Sequence, residues 1–138
     1  MKNQLIFPMA FYIFYMWLLA LLTFRTRLRA IKSGEVAAKY FRAYTGQGPS
    51  DRTILVARHY DHQFQVPLLF FITCLLSISI GSTNSATIFL AWLFVVSRLC
   101  HSWVHLGSNR LEKRVLTFAA GWVIVVLMWM QLVYFALQ

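Results

Sequence analysis

From Leu5 to Phe24 the chain runs for 20 residues without a charge and then meets Arg25, Arg27 and Arg29. At about 1.5 Å of helical rise per residue, such a run crosses the roughly 30 Å hydrocarbon core of a bilayer. It is too long for the apolar region of a cleaved signal peptide, and no small-x-small site precedes the arginines, so it predicts a retained transmembrane helix. A second uncharged run, Val66 to Ile80, is short. Its helix must therefore begin earlier, with Ser50 or Asp51 as N-cap after Gly48-Pro49. Pro67 falls inside this span and predicts a kink with freed backbone groups at membrane depth.

Gly81-Ser-Thr-Asn-Ser reads as a turn, and a third span follows from Ala86 to Leu106, with Arg98 inside it. Gly107-Ser108-Asn109 breaks that helix, and a fourth apolar stretch runs from Val115 to Leu137 with Gln131 as its one strongly polar side chain. The pattern sets one membrane domain over 1–138, with spans at about 5–25, 52–80, 86–106 and 112–137. The predicted fold class is an all-α membrane protein, a four-transmembrane-helix bundle with both termini on the same side.

Composition agrees with this. The chain is 59% hydrophobic and only 12% charged, about half the charged share of an average soluble domain. The net charge of +9 would suit nucleic acid, but its distribution does not. Eight of the 13 Lys and Arg lie between Arg25 and Arg58, three more are Arg110, Lys113 and Arg114, and Lys2 and Arg98 complete the set. Clusters that abut apolar runs orient a membrane protein and meet anionic lipid headgroups. The connection between the second and third spans carries no charge, so the asymmetry places both basic connections in the cytosol and both termini on the non-cytosolic side. No nucleic-acid partner is expected. Within the first connection, Glu35 to Tyr44 reads as a short interfacial helix with a Glu35–Lys39 pair. Cys74 and Cys100, each inside an apolar run, read as small packing residues.

Polar chemistry gathers at the cytosolic end. Arg58, His59, Asp61 and His62 open the second span, Arg98, His101 and His105 close the third, and Arg110 and Arg114 open the fourth. Arg98 lies about two turns inside its helix, where an ionisable group is costly and normally faces a bundle interior or a wet cavity. Arg98, His101 and His105 share one helical face. Plainer roles stand beside this one: snorkelling side chains in the headgroup zone, an Asp61 that only neutralises Arg98 or Arg58, and an Asn109-Arg110 that only starts the last helix. Two facing helices could also present His59, His62, His101 and His105 to a transition metal or haem. Arginines crowd each histidine, however, and clustered arginines suit an anion better than a cation, so no metal site is expected.

The run Arg58-His-Tyr-Asp-His-Gln-Phe-Gln-Val-Pro67 resembles the second-helix signature of the MAPEG family, the membrane-associated proteins in eicosanoid and glutathione metabolism. Arg98-Leu-Cys-His101-Ser-Trp-Val-His105 and the loop to Arg110 and Arg114 are similar to the family's third-helix and loop signature, in the manner of a short bacterial member. The resemblance implies a homotrimer that binds glutathione between subunits near the cytosolic face, with membrane lipid as surroundings and a lipophilic small molecule as substrate. It makes Arg98 and Arg114 glutathione-site arginines and Arg110 another matching basic position. It matches His101 to a family histidine and sets His105 where the family's synthases have a glutathione-contacting tyrosine. The family's Arg-x-x-x-Asn-x-x-Glu becomes His62 and Gln65 when counted from Arg58; counted back from Pro67, Asp61 or Tyr60 takes the Asn position and Gln63 or Phe64 that of Glu. Either way the glutamate is missing, and Val115 offers no hydroxyl after Arg114.

The implied ligand set is therefore Arg58, Asp61, His62, Gln65, Arg98, His105, Arg110 and Arg114, with Arg114, His105 and His101 as candidates for the chemistry. The enzyme reading is a glutathione-transferase-like protein acting on lipophilic electrophiles in a bacterial inner membrane. The non-enzyme reading is a trimeric module that binds an anionic lipid or a partner protein through the same arginines. Cys74, Ser77 and Ser79 are expected to let second helices approach closely at a threefold axis.

Overall fold

The structure is a computed structural model and describes residues 3–138; Lys2 lies outside them. It is all helix: α1 Ile6–Lys32, α2 Tyr40–Ala43, α3 Asp51–Asp61, α4 Val66–Ser79, α5 Ser85–Leu106 and α6 Leu111–Ala136. Four helical segments are long and apolar enough to cross a membrane: α1, the α3–α4 pair taken together as Asp51–Ser79, α5 and α6. They form a four-helix bundle in which α5 packs along α6, α4 against α6, and α1 against α3 and α5.

Local chemistry explains where each helix stops. Nothing breaks α1 at the arginines, so Arg25, Arg27, Arg29 and Lys32 ride on the same helix, which runs past the expected end near residue 25. It ends at Gly34, whose φ of 75° is adopted most readily by a residue without a Cβ. The Glu35 N–H donates to the Ala30 carbonyl (3.0 Å) and the Gly34 N–H to the Ile31 carbonyl (3.1 Å), the paired bonds of a Schellman end. The expected interfacial helix over Glu35 to Tyr44 shrinks to the four residues of α2, closed by Tyr44 in the left-handed region. Glu35 does not pair with Lys39. Its carboxylate accepts instead from the Ser50 backbone N–H, because the helix N-terminus at Ser50–Asp51 offers unsatisfied donors and a favourable dipole.

The break expected from Pro67 lies just upstream of it. A single 3₁₀ turn, His62–Phe64, and a Gln65 at φ −99°, ψ −100° separate α3 from α4, with the proline in α4's first turn. The pyrrolidine ring excludes the carbonyl four residues back and donates no N–H, so the chain must leave the α-helix before it. Asn84 caps α5, accepting from the Thr87 N–H at 2.9 Å.

The core holds Leu5, Tyr12, Val66, Phe70, Cys74, Phe94, Val95, Val125 and Met128. Cys74 and Ser77 are turned into this core, so they cannot serve as the small residues of a second-helix contact between subunits; of the three, Ser79 alone is exposed. Cys100 is exposed on α5 rather than packed inside the chain. The outer surface carries exposed Phe, Trp, Leu and Val on α1, α4, α5 and α6, which suits lipid and would be untenable in water.

Candidate functional site

A cleft of about 620 Å³ opens between α1, α3, the end of α5 and the start of α6. Asp51, Leu55, Arg58 and His62 reach it from the second span, spaced so that they fall on one helical face. Arg52 also lines it, as do Leu22 and Thr26 of α1. On the far side stand His105, Asn109 and Arg114. Asn109 adopts a left-handed φ of 48°, a conformation its short polar side chain tolerates. Its Oδ1 accepts from Arg114 Nη1 at 3.0 Å, which fixes that guanidinium at the cleft wall.

Beside the cleft lies a cluster of imidazoles. His59 is 0% exposed, and His101 and His105 are 2% exposed each. Ring centroids lie 4.8 Å apart for His59–His105, 5.6 Å for His101–His105 and 5.8 Å for His59–His101. The His62 ring is 5.8 Å from His105. Hydroxyls and an amide hold the cluster from outside. Ser102 Oγ lies 2.8 Å from His59 Nε2, Tyr15 hydrogen-bonds Ser102, and Gln63 donates to the His59 carbonyl at 2.8 Å while accepting from the Tyr12 hydroxyl at 2.5 Å. His101 Nδ1 is 3.0 Å from Thr117 Oγ1. On the inner side the bonds run out: Nδ1 of His59, His62 and His105 and Nε2 of His101 are buried without a hydrogen-bond partner among the described residues. A buried polar atom left unpaired costs about 1–3 kcal/mol.

Compared with family models, the chain matches the MAPEG family over residues 5–134. That is nearly the whole sequence, including both polar segments around the cleft. The chain belongs to the MAPEG family. Neither the curated proteins nor the solved structures contain a significant match to it. Together with its four spanning helices, membership makes this an integral, multi-pass membrane protein.

Of the residues that the MAPEG resemblance nominates, Arg58, His62, His105 and Arg114 meet in the cleft. Asp61 faces a separate groove with Arg27, Tyr40, Tyr44 and Arg58. Gln65 and Arg110 are exposed away from the cleft. His101 is buried in the cluster. Arg98 shares its face, with 4% exposure, yet does not line the cleft. Its guanidinium carbon sits 5.5 Å from the Phe118 ring centroid and 5.9 Å from that of Phe94.

Gly121 makes room for Arg98, since a Cβ there would stand 2.9 Å from Nη1. Of the two partners weighed for Asp61, Arg98 is not one: Arg98 has no carboxylate partner among the described residues, and Asp61 is exposed in the separate groove that Arg58 also lines. Asp51 and Arg52 were missed by sequence reasoning, which took Asp51 for a helix start. The signal was present in the spacing of Asp51, Leu55, Arg58 and His62.

Proposed function

We propose that this MAPEG protein is a glutathione-transferase-like membrane enzyme whose cleft binds glutathione and whose substrate is a lipophilic electrophile entering from the bilayer. The observation that carries the reading is the charge pattern of the cleft: Arg52, Arg58 and Arg114 beside a single carboxylate, Asp51. Glutathione carries two carboxylates and one ammonium, the complement of that pattern. The volume of about 620 Å³ falls in the range of about 300–1,000 Å³ usual for small-molecule sites. Asp51 offers the acid that the missing second-helix glutamate would otherwise supply.

Glutathione would contribute a thiol, nucleophilic as its thiolate. Arg58 and Arg114 would hold its carboxylates by charge-assisted hydrogen bonds. Arg114, held in place by Asn109, would also favour a developing thiolate as a fixed cationic donor. His105 and His62 line the same wall, with buried Nδ1 atoms lacking partners, and either would take the thiol proton.

Calorimetric titration of glutathione into detergent-solubilised protein tests this. Binding is expected in the wild type, and Arg114→Ala is expected to weaken it about 10- to 100-fold, the loss of one charged hydrogen-bond partner. No heat of binding in the wild type would sink the proposal. The assembly proposed is a homotrimer, and native mass spectrometry of the same sample reads both subunit number and bound ligand.

The cleft is proposed to face the cytosol of a bacterial inner membrane. Reporter fusions near Gly46 should therefore read cytosolic and fusions at the C-terminus outside; the opposite pattern would invert the topology. A second reading, a non-catalytic module that binds an anionic lipid headgroup through the same arginines, is favoured by Val115, which leaves Arg114 without a neighbouring hydroxyl. Anionic lipid binding without any glutathione binding would decide for it.

A further inference from the structure

We propose that His59, His101 and His105 bind a divalent transition metal of the zinc class beside the cleft. Each presents a ring nitrogen within 4.8 Å of the other two. Tetrahedral coordination at about 2.0–2.1 Å asks for nitrogens about 3.4 Å apart, so modest imidazole rotations on α3 and α5 close the site.

The hydrogen bonds around the cluster choose the tautomers. Ser102 Oγ donates to the Arg98 carbonyl (2.8 Å), the usual use of a helical serine hydroxyl. Its hydrogen spent, it accepts from His59 Nε2–H at 2.8 Å. The Gln63 amide gives one hydrogen to the His59 carbonyl at 2.8 Å, and at 3.3 Å its approach to Nε2 is longer and weaker than the 2.8 Å contact from Ser102. Thr117 Oγ1 donates to the Lys113 carbonyl (2.9 Å) and so accepts from His101 Nδ1–H at 3.0 Å. The lone pairs of His59 and His101 then fall on Nδ1 and Nε2, the two nitrogens that are buried without partners. Metal-binding histidines are oriented in this way, one ring nitrogen donating outward while the other faces the ion. His105 adds a third unpartnered buried nitrogen.

The arginines that argue against a cation in the sequence stand near the cluster, but no guanidinium among them is hydrogen-bonded to an imidazole. Arg98 lies over the Phe94 and Phe118 rings, and Arg58 and Arg114 line the cleft. His105 is shared between cluster and cleft, so a fourth coordination position opens toward the cleft. There an anionic ligand, hydroxide or thiolate, would offset the charge of a dication near Arg98. Three imidazoles with an open position suit zinc, cobalt, nickel or copper rather than magnesium or calcium. With the metal bound, the proton-accepting part in the cleft falls to His62.

The test uses full-length protein without a histidine tag, stripped with chelator and titrated with Co²⁺ in the absence of glutathione. One Co²⁺ per chain with the intense visible absorption of a tetrahedral site is expected, displaced by Zn²⁺. His101→Gln should abolish that spectrum. Thr117→Val keeps every ligand but removes the group that orients His101, and should weaken Co²⁺ about 10- to 100-fold, as loss of an orienting partner does. It decides the question even if His101→Gln fails to fold. A wild type with no tetrahedral signal overturns the proposal and leaves a neutral imidazole cluster, and so does a Thr117→Val affinity equal to wild type. Because the metal is read without glutathione, the outcome stands apart from the transferase reading.

Discussion

Phe70→Ala is expected to destabilise the folded protein by about 3–5 kcal/mol, the usual cost of emptying a buried phenylalanine site. Phe70 is 0% exposed and stacks on Phe94 of α5 with centroids 4.4 Å apart and planes 12° apart. Tyr12 of α1 meets it edge-on at 6.2 Å. One ring thus ties three helices together. Between helices in lipid, hydrophobic transfer contributes little and close packing contributes most, so the loss comes from vanished dispersion contacts around a hole that nothing refills. Detergent-denaturation curves in mixed micelles, followed by far-UV circular dichroism, measure it. Phe70→Leu should restore most of the stability. A Phe70→Ala protein within 1 kcal/mol of wild type, by the same core-truncation scale, would show that the aromatic cluster does not hold the bundle.

Arg98→Leu is expected to act in the opposite direction and stabilise the bundle by about 1–4 kcal/mol, the gain seen when buried ionic groups give way to apolar ones. Arg98 is nearly sealed from the surroundings, and among the described residues two aromatic faces answer its charge. Cation–π contacts are worth about 0.5–2 kcal/mol, less than the several kcal/mol of desolvating a cation. Asp61→Asn should be silent and additive with it, since the two side chains share no contact. If Arg98→Leu instead lowers stability, a negative group reaches that guanidinium in the assembled protein. Rescue by Asp61→Asn would identify the group as Asp61. The same denaturation assay separates the three results.

The spans were legible because hydropathy is a property of whole segments. Leu5 to Phe24 could only be one helix, and Pro67 could only interrupt another. The Gly81-to-Ser85 turn and Gly107 marked helix ends by ordinary turn and breaking chemistry, while the capping role of Asn84 showed only in the fold. Facing was harder to read. Helix α4 is apolar all round, so nothing in its sequence says that Cys74 and Ser77 turn inward while Leu75 and Leu76 turn out.

Tyr12 and Tyr15 lie in an uncharged run of α1 whose pattern does not single them out. Their hydroxyls in fact end on Gln63 and Ser102, long-range contacts that no local spacing encodes. The candidate site divides along the same line. His101 and His105 were findable from one helix, and Arg58 and His62 from another. The gathering of Arg58, His62, His105 and Arg114 in one cleft and the exclusion of Asp61 depend on how the 3₁₀ turn at His62–Phe64 sets α3 relative to α5. Glu35 was misread because a helix pair three or four residues apart is a local rule, and the free N–H at Ser50, 15 residues away, outcompeted it.

Gly121 and Arg98 also constrain the order in which descendants of this sequence can change. Any side chain at position 121 would meet Arg98 Nη1 at 2.9 Å, so a lineage that first replaces the glycine must also move the far end of that flexible side chain. A lineage that first loses the arginine frees both positions at once. The two sites, 23 positions apart in the chain, are therefore coupled, because a change at 121 moves the side chain at 98.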